Sequence, residues 1–358
     1  MSEYQYYEFL AVDRPLTRAE QDGLRGLSSR ARITANSFTN EYEWGDFRGD
    51  PVALMSAFFD LHVYHANWGT HRLMIRLPVR LIGRDTIESL VLDDEWAKVH
   101  DAGDNLILDI ELNEIDLDYV DNGTSWLAML APLRADLLAG DRRVLYLIWL
   151  MAVEYQFARP ESPEPLDGIG PMTDALDAFA RFFQIDPNLV AAAAERGNAP
   201  ATLDAATVVA ALTEAEKTAL LIRVFDGDPL VSPELRGKAR HARTGNAAVV
   251  PRTVEALRKR AQAIGEEKAG EERAKEVAAR RTRVDAILKR GDAVWREVEA
   301  EIELRNNSGY DRATALLRHL REVAEDRDTL ADFASRLAAI RSRHARKGQF
   351  IVRIAKIV

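Results

Sequence analysis

The chain has 358 residues, a formal net charge of −9 and 47% hydrophobic content, the profile of a folded protein of two or three domains. It contains no cysteine, which excludes disulfides, thiol chemistry and every zinc or iron–sulfur centre built on thiolates. No basic segment followed by an apolar core opens the chain, and the apolar run Val144 to Val153 is too short to span a bilayer. A soluble cytoplasmic protein without a membrane partner is expected.

The first strand signal is YQYYEFLAV, residues 4–12, aromatic and branched. Thr17 and Glu20 form a capping box for a helix reaching Leu27. Arg32–Trp44 is a second extended stretch, and Asp50-Pro51 opens a short helix. Leu61–Trp68 and His71–Ile82 read as two more strands across a Trp-Gly-Thr turn. Ala97–Asp101 and Asn105–Leu112 form another hairpin. The order predicts an α+β N-terminal domain over residues 1–122, with helices on one sheet face.

A mostly α-helical region follows. Ser125–Leu138 and Arg142–Phe157 read as helices, and a Pro-rich linker, RPESPEPLDGIGP, occupies 159–171. Asp186-Pro187 opens a helix ending at Gly197, and Thr213 with Glu216 caps another ending near Gly227. The helical domain thus spans 123–240.

Charge changes sign there. Residues 1–240 carry 39 Asp+Glu against 22 Lys+Arg, a net of −17; residues 241–358 carry 18 against 26, a net of +8. A long charged helix is predicted within 241–305. Its Arg252–Arg283 part reads as a solvated arm stiffened by Glu271–Lys275 and Glu276–Arg280 pairs at four-residue spacing. An apolar stripe from Val284 through Val294 and Val298 to Ile302 then docks on a C-terminal helical hairpin, residues 306–358. That hairpin carries Leu317 and Leu320 on one helix and Phe333 and Leu337 on the next. Thr329 and Asp332 read as a capping box for the second helix, and the tail QFIVRIAKIV fits a strand or a final amphipathic turn.

Several clusters carry potential chemistry. His62, His65 and His71 near Asp60 have the residue types of a zinc site, but on a strand His62 and His65 point to opposite faces. The acidic run Asp109, Glu111, Glu114, Asp116, Asp118 and Asp121 does not match an EF-hand loop, because Val120 and Leu127 stand where ligands are needed. Asp46 and Asp50 flank Arg48, as acid–base groups or as turn residues. Tyr7, Phe9, Phe38 and Tyr64 read as sheet packing rather than as a base-stacking face, since the surrounding acidity repels phosphate. The basic positions Arg258, Lys259, Arg260, Lys268, Arg273, Lys275, Arg280, Arg281 and Arg283 are the candidate partner or phosphate contacts. They are interleaved with Glu266, Glu267, Glu271, Glu272 and Glu276. No Walker loop, dinucleotide fingerprint, nucleophile elbow or zincin helix occurs, so no catalytic residue, metal or cofactor is assigned.

The stretches YQYYEFLAVDRPLT, NEYEWGDFRGDP and ANWGTHRLMIRLP resemble a family of uncharacterised bacterial proteins. The tail YDRATALLRHLREVAEDRDTLADFASRLAAIRSRHARKGQF is similar to the C-terminal helical modules of that family and of bacterial SWIM zinc-finger proteins. The Cys ligands of the zinc finger have no counterpart here, so the resemblance implies a shared helical module and pathway but no zinc-dependent nucleic-acid role. The function expected is that of a cytoplasmic adaptor or scaffold binding another protein through the charged helical region, coiled coil included. The alternatives are a nucleic-acid-associated protein using the basic helices, or an enzyme with a site in the α+β domain.

Overall fold

The computed structural model describes residues 3–91, 96–113, 115, 126–197, 205–241 and 250–357. These form two compact units, Met1–Gly265 and Glu266–Val358.

Among the described residues of the first unit the period-2 runs build seven strands: β1 (Gln5–Leu10), β2 (Arg32–Ile33), β3 (Ser37–Tyr42), β4 (Leu61–Ala66), β5 (His71–Pro78), β6 (Ala97–Ala102) and β7 (Asn105–Leu112). They form one sheet in the order β2-β3-β1-β4-β5-β7-β6, every pair antiparallel. The stretch expected to be continuous from Arg32 to Trp44 is two strands folded at Thr34–Ser37, where the Thr34 N–H donates to the Ser37 carbonyl. The register opposes Phe9 to Phe38 and to His62, and Leu61 to Ile75.

Helices cover both sheet faces, not one. On the first face Phe9, Phe38, Met74 and Ile107 pack with α1 (Arg18–Leu27) and α2 (Pro51–Ala57). On the second, Leu61, Val63, Ile75, Leu108 and Ile110 join a larger helical core. The reason lies in β7, where Leu106 to Ile110 are buried on alternate sides without a break. A strand apolar on both faces needs cover on both.

The short α3 (Arg84–Glu88) follows β5. The second-face layer begins with α4 (Trp126–Leu130) and α5 (Pro132–Leu138), one predicted helix divided at Pro132, then α6 (Arg143–Glu154). Every residue of α6 up to Val153 is buried, as its all-round apolar sequence requires. Next come α7 (Asp174–Phe182), α8 (Pro187–Ala194), α9 (Ala205–Ala210), α10 (Glu214–Phe225) and α11 (Val231–His241). The caps at Thr17, Asp50, Thr213 and Asp186 all form, the first and third as full capping boxes. Residues 159–171 are packed: Ile169 is fully buried, the Glu164 N–H donates to the Arg252 carbonyl, and Pro163 bridges to Thr253.

Helix α12 (Val254–Arg290) runs to Gly265 in the first unit and on from Glu266 in the second. The arm expected to be solvated from Arg252 begins later. Val254, Leu257, Ala261 and Ile264 are buried in the large core, and unbroken exposure spans only Glu271–Arg283. The spacing of these apolar positions puts them on one face. The second unit continues with α13 (Asp292–Glu303), separated by Gly291 at φ +53°, then α14 (Asn307–Asp326), α15 (Leu330–Arg343) and α16 (Gly348–Ile354). Val294, Val298 and Ile302 meet Leu317, Phe333, Leu337 and Phe350 in a core of their own, which is the docking expected of the stripe. Two local readings differ. Thr329 makes no side-chain cap to α15, and the tail resolves as helix α16.

Candidate partner-binding surfaces

The nine basic positions fall in both units, Arg258, Lys259 and Arg260 in the first and the other six in the second. The Arg258 guanidinium donates to the Val153 carbonyl, and Arg260 Nε sits 2.9 Å from both oxygens of Glu195. Within the second unit Arg280 pairs with Asp326 at 2.9 Å and Glu325 at 3.6 Å, and Arg283 lies 3.9 Å from Glu322. Lys275 pairs with Glu272, three residues back, at 2.6 Å. The predicted Glu276–Arg280 pair is replaced because carboxylates on α14 take Arg280, and the predicted Glu271–Lys275 pair gives way to the neighbouring Glu272. Lys268 is exposed and engaged electrostatically. Lys259, Arg273 and Arg281 are exposed and have no ion pair among the described residues. At 1.5 Å rise per residue Arg273 and Arg281 stand about 12 Å apart along the helix, with Glu276 between them. That is a sparse array for tracking a phosphate backbone.

A different surface stands out on α10. Leu221, Ile222, Val224 and Phe225 are 68%, 56%, 56% and 93% exposed. Only Leu220 of this helix is buried. The capping box of Thr213 and Glu216 and the Arg223 pairs to Asp228 and Glu234, at 2.8 and 2.9 Å, hold the helix in place. Ala135, Val209, Val224, Val231 and Leu235 line a depression of about 610 Å³ beside it. Four neighbouring large apolar side chains exposed on one helix make this face a candidate contact surface. Sequence reading missed this face, because LLIRVF is also a normal pattern for a buried helix.

The potential chemistry of the sheet resolves into separate roles. His62 is fully buried on the first face, stacked on Phe9 at 3.9 Å, and its Nδ1 donates to the Glu8 carbonyl at 2.9 Å. Burial pushes its pKa down to about 3. His65 and His71 face each other across the β4–β5 hairpin on the second face, rings 6.1 Å apart. Asp60, buried, accepts from Arg76 at 2.8 Å and lies 3.2 Å from Arg134. Among the described residues no group of three or more His, Asp or Glu is arranged to hold a metal.

Asp109 accepts both Nε and Nη2 of Arg72, at 2.8 and 2.7 Å, and lies 2.9 Å from His100 Nε2. Burial opposes its ionisation, but Arg72 and His100 outweigh burial and hold its carboxyl below the usual range. Glu111 lies 3.3 Å from Arg72; Glu114, Asp116, Asp118 and Asp121 lie outside the described residues. Asp50 caps α2, Asp46 accepts from Gln5 at 3.3 Å, and Arg48 is exposed. Tyr7 and Tyr64 pack 4.6 Å apart and both donate to Gln5 Oε1.

No protein-family model, curated protein or solved structure matches this chain. Among the described residues no helix is long and apolar enough to cross a membrane.

Proposed function

We propose that the chain is an adaptor that binds another protein, working in the cytoplasm, with the apolar face of α10 as a docking element and the charged α12 as a stiff spacer. The observation that carries this reading is the exposure of Phe225 together with Leu221, Ile222 and Val224 on one short, well-capped helix. Burying such a cluster against a partner releases about 1.5–3 kcal/mol per large side chain, enough to anchor an interface as a hot spot. The thirteen exposed residues Glu271–Arg283, rich in both charges, support a solvated spacer. The kinship of the tail with the helical modules of SWIM zinc-finger proteins belongs to the same proposal; its support is that the tail residues form α14, α15 and α16.

Affinity capture from the native cell tests the reading with two variants. Leu221→Glu/Phe225→Glu places charge on the exposed face of α10. Truncation after Gly265 removes the second unit but keeps Val254, Leu257 and Ile264 in their core. The α10 variant is expected to lose a defined set of partners with an unchanged melting temperature. If both variants retain every partner of the intact chain, the adaptor reading is wrong.

A further inference from the structure

The second sheet face opens beside His71 into a groove of about 880 Å³ that belongs entirely to the first unit. Its size and make-up are those of a small-molecule site, mostly apolar walls with a few convergent polar groups. Trp126, Met129, Met172, Ile185 and Val190 are its large apolar lining residues. An aromatic chain leads into it: Tyr6 on His65 at 5.1 Å, His65 on His71 at 6.1 Å, His71 on Phe182 at 4.5 Å, and Phe182 on Trp126 at 5.2 Å.

Of the polar residues lining the groove, Gln184 is already engaged in an interaction of its own; His71, Asp177 and Arg181 define what the groove can recognise. The His71 Nδ1 lies 2.6 Å from the Phe182 carbonyl. A carbonyl only accepts, so Nδ1 carries the proton and Nε2 presents a lone pair. Burial pushes the His71 pKa down, which keeps the ring a neutral acceptor near pH 7. Asp177 and Arg181 stand four residues apart on α7 and both line the groove. Opposite charges at that spacing are close enough to pair. Here neither has an ion-pair or side-chain hydrogen-bond partner among the described residues. One unpaired cation and one unpaired anion, on side chains whose Cβ atoms stand about 6 Å apart on a helix face, match a molecule that carries both charges close together on an apolar body. A simple organic anion would leave Asp177 repelling it, and a simple amine would do the same with Arg181.

We propose that this groove binds an apolar α-amino acid. Its carboxylate lies on Arg181, its ammonium on Asp177 and His71 Nε2, and its side chain against Trp126, Met129 and Met172. Both rim charges are exposed, so they set selectivity while apolar burial supplies most of the affinity. The site stands on groups separate from the α10 face and does not require a protein partner.

Calorimetric and saturation-transfer titrations of the full chain with L-leucine, L-phenylalanine and L-tryptophan test the proposal. Saturable binding is expected for at least one of them. N-acetyl-L-leucine, which lacks the ammonium, and L-leucinamide, which lacks the carboxylate, are each expected to bind about tenfold more weakly than L-leucine. Arg181→Gln should make L-leucine and L-leucinamide equal, and Asp177→Asn should do so for L-leucine and N-acetyl-L-leucine. Ala194→Trp, on the groove wall, should abolish all binding without lowering the melting temperature. Absence of saturable binding by all three amino acids overturns the proposal. So does binding of the acetylated or amidated derivative as tight as that of L-leucine.

Discussion

Arg252 donates through Nε to the carboxylate of Glu164, whose side chain is fully buried, 88 residues earlier in the chain. The Arg252 Nη2 goes on to the Ala192 carbonyl at 3.0 Å, and the Val254 N–H donates to the Ser162 carbonyl at 3.0 Å. The acidic front of the sequence and the start of its basic tail are thus one folded body. The Pro-rich segment 159–171 is held between them rather than free.

Breaking this pair strands a buried charge. Arg252→Ala is expected to cost about 3–5 kcal/mol, read by urea unfolding at pH 7. The double variant Glu164→Leu/Arg252→Met replaces the pair with apolar groups and should recover a large part of the loss. A single variant that unfolds at the same urea concentration as the unaltered chain would show that the pair contributes nothing.

His62 makes stability fall in mild acid. Its pKa is about 3 in the fold against 6.5 when unfolded, so between these values the unfolded chain binds the extra proton. Stability from the neutral imidazole is complete above pH 6.5 and drains away as pH drops toward 3, by up to about 1.4 kcal/mol per unit. His62→Leu removes this slope at the cost of the hydrogen bond to Glu8. The difference in unfolding free energy between the unaltered chain and the variant is therefore expected to shrink from pH 7 to pH 5. A difference independent of pH would contradict the buried neutral imidazole.

Two glycines should respond with opposite signs to alanine. Gly197 has φ +124°, and a Cβ there would lie 2.5 Å from the Gly170 carbonyl oxygen. Gly197→Ala is expected to destabilise by about 3 kcal/mol. Gly270 lies inside α12, and a methyl group added there would meet nothing within 4 Å. Gly270→Ala should therefore stabilise by about 0.5–1 kcal/mol. Thermal melts of both variants check the pair of signs.

The second unit depends on its apolar stripe. Leu317 is fully buried against α13 and the terminal helices. Leu317→Ala should cost about 2–5 kcal/mol, whereas Arg273→Ala on the exposed stretch of α12 should change stability by less than about 0.5 kcal/mol. Hydrogen exchange over 307–354 reads the first effect locally, and loss of protection there only in Leu317→Ala is the expected pattern.

Much of this architecture was legible residue by residue. Thr17 with Glu20 and Thr213 with Glu216 announce helix starts because a cap is completed within one turn. Alternation through Leu106, Leu108 and Ile110 announces a strand because side chains change face at every step. The separation of His62 from His65 followed from the same rule. Thr329 and Asp332 show the limit of local spacing: it is right for a capping box, but no cap forms at Thr329, which adopts φ −108°, ψ 24° rather than an extended conformation.

By itself, then, the sequence determined the element types, most of their ends, and the stripe Val294–Ile302 that closes the second unit. Only the tertiary structure decided which charges are spoken for and which surfaces are left open. Arg258 and Arg260 read like their neighbours Lys259 and Lys268 until α12 docks and brings Val153 and Glu195 to them. His71 gained meaning only when Phe182, 111 residues later, captured its Nδ1 and the ring came to line a groove. The physical reason is distance along the chain. Caps and periodicity are written within a few residues, whereas ion pairs, buried imidazoles and exposed faces depend on which distant segments the core brings together.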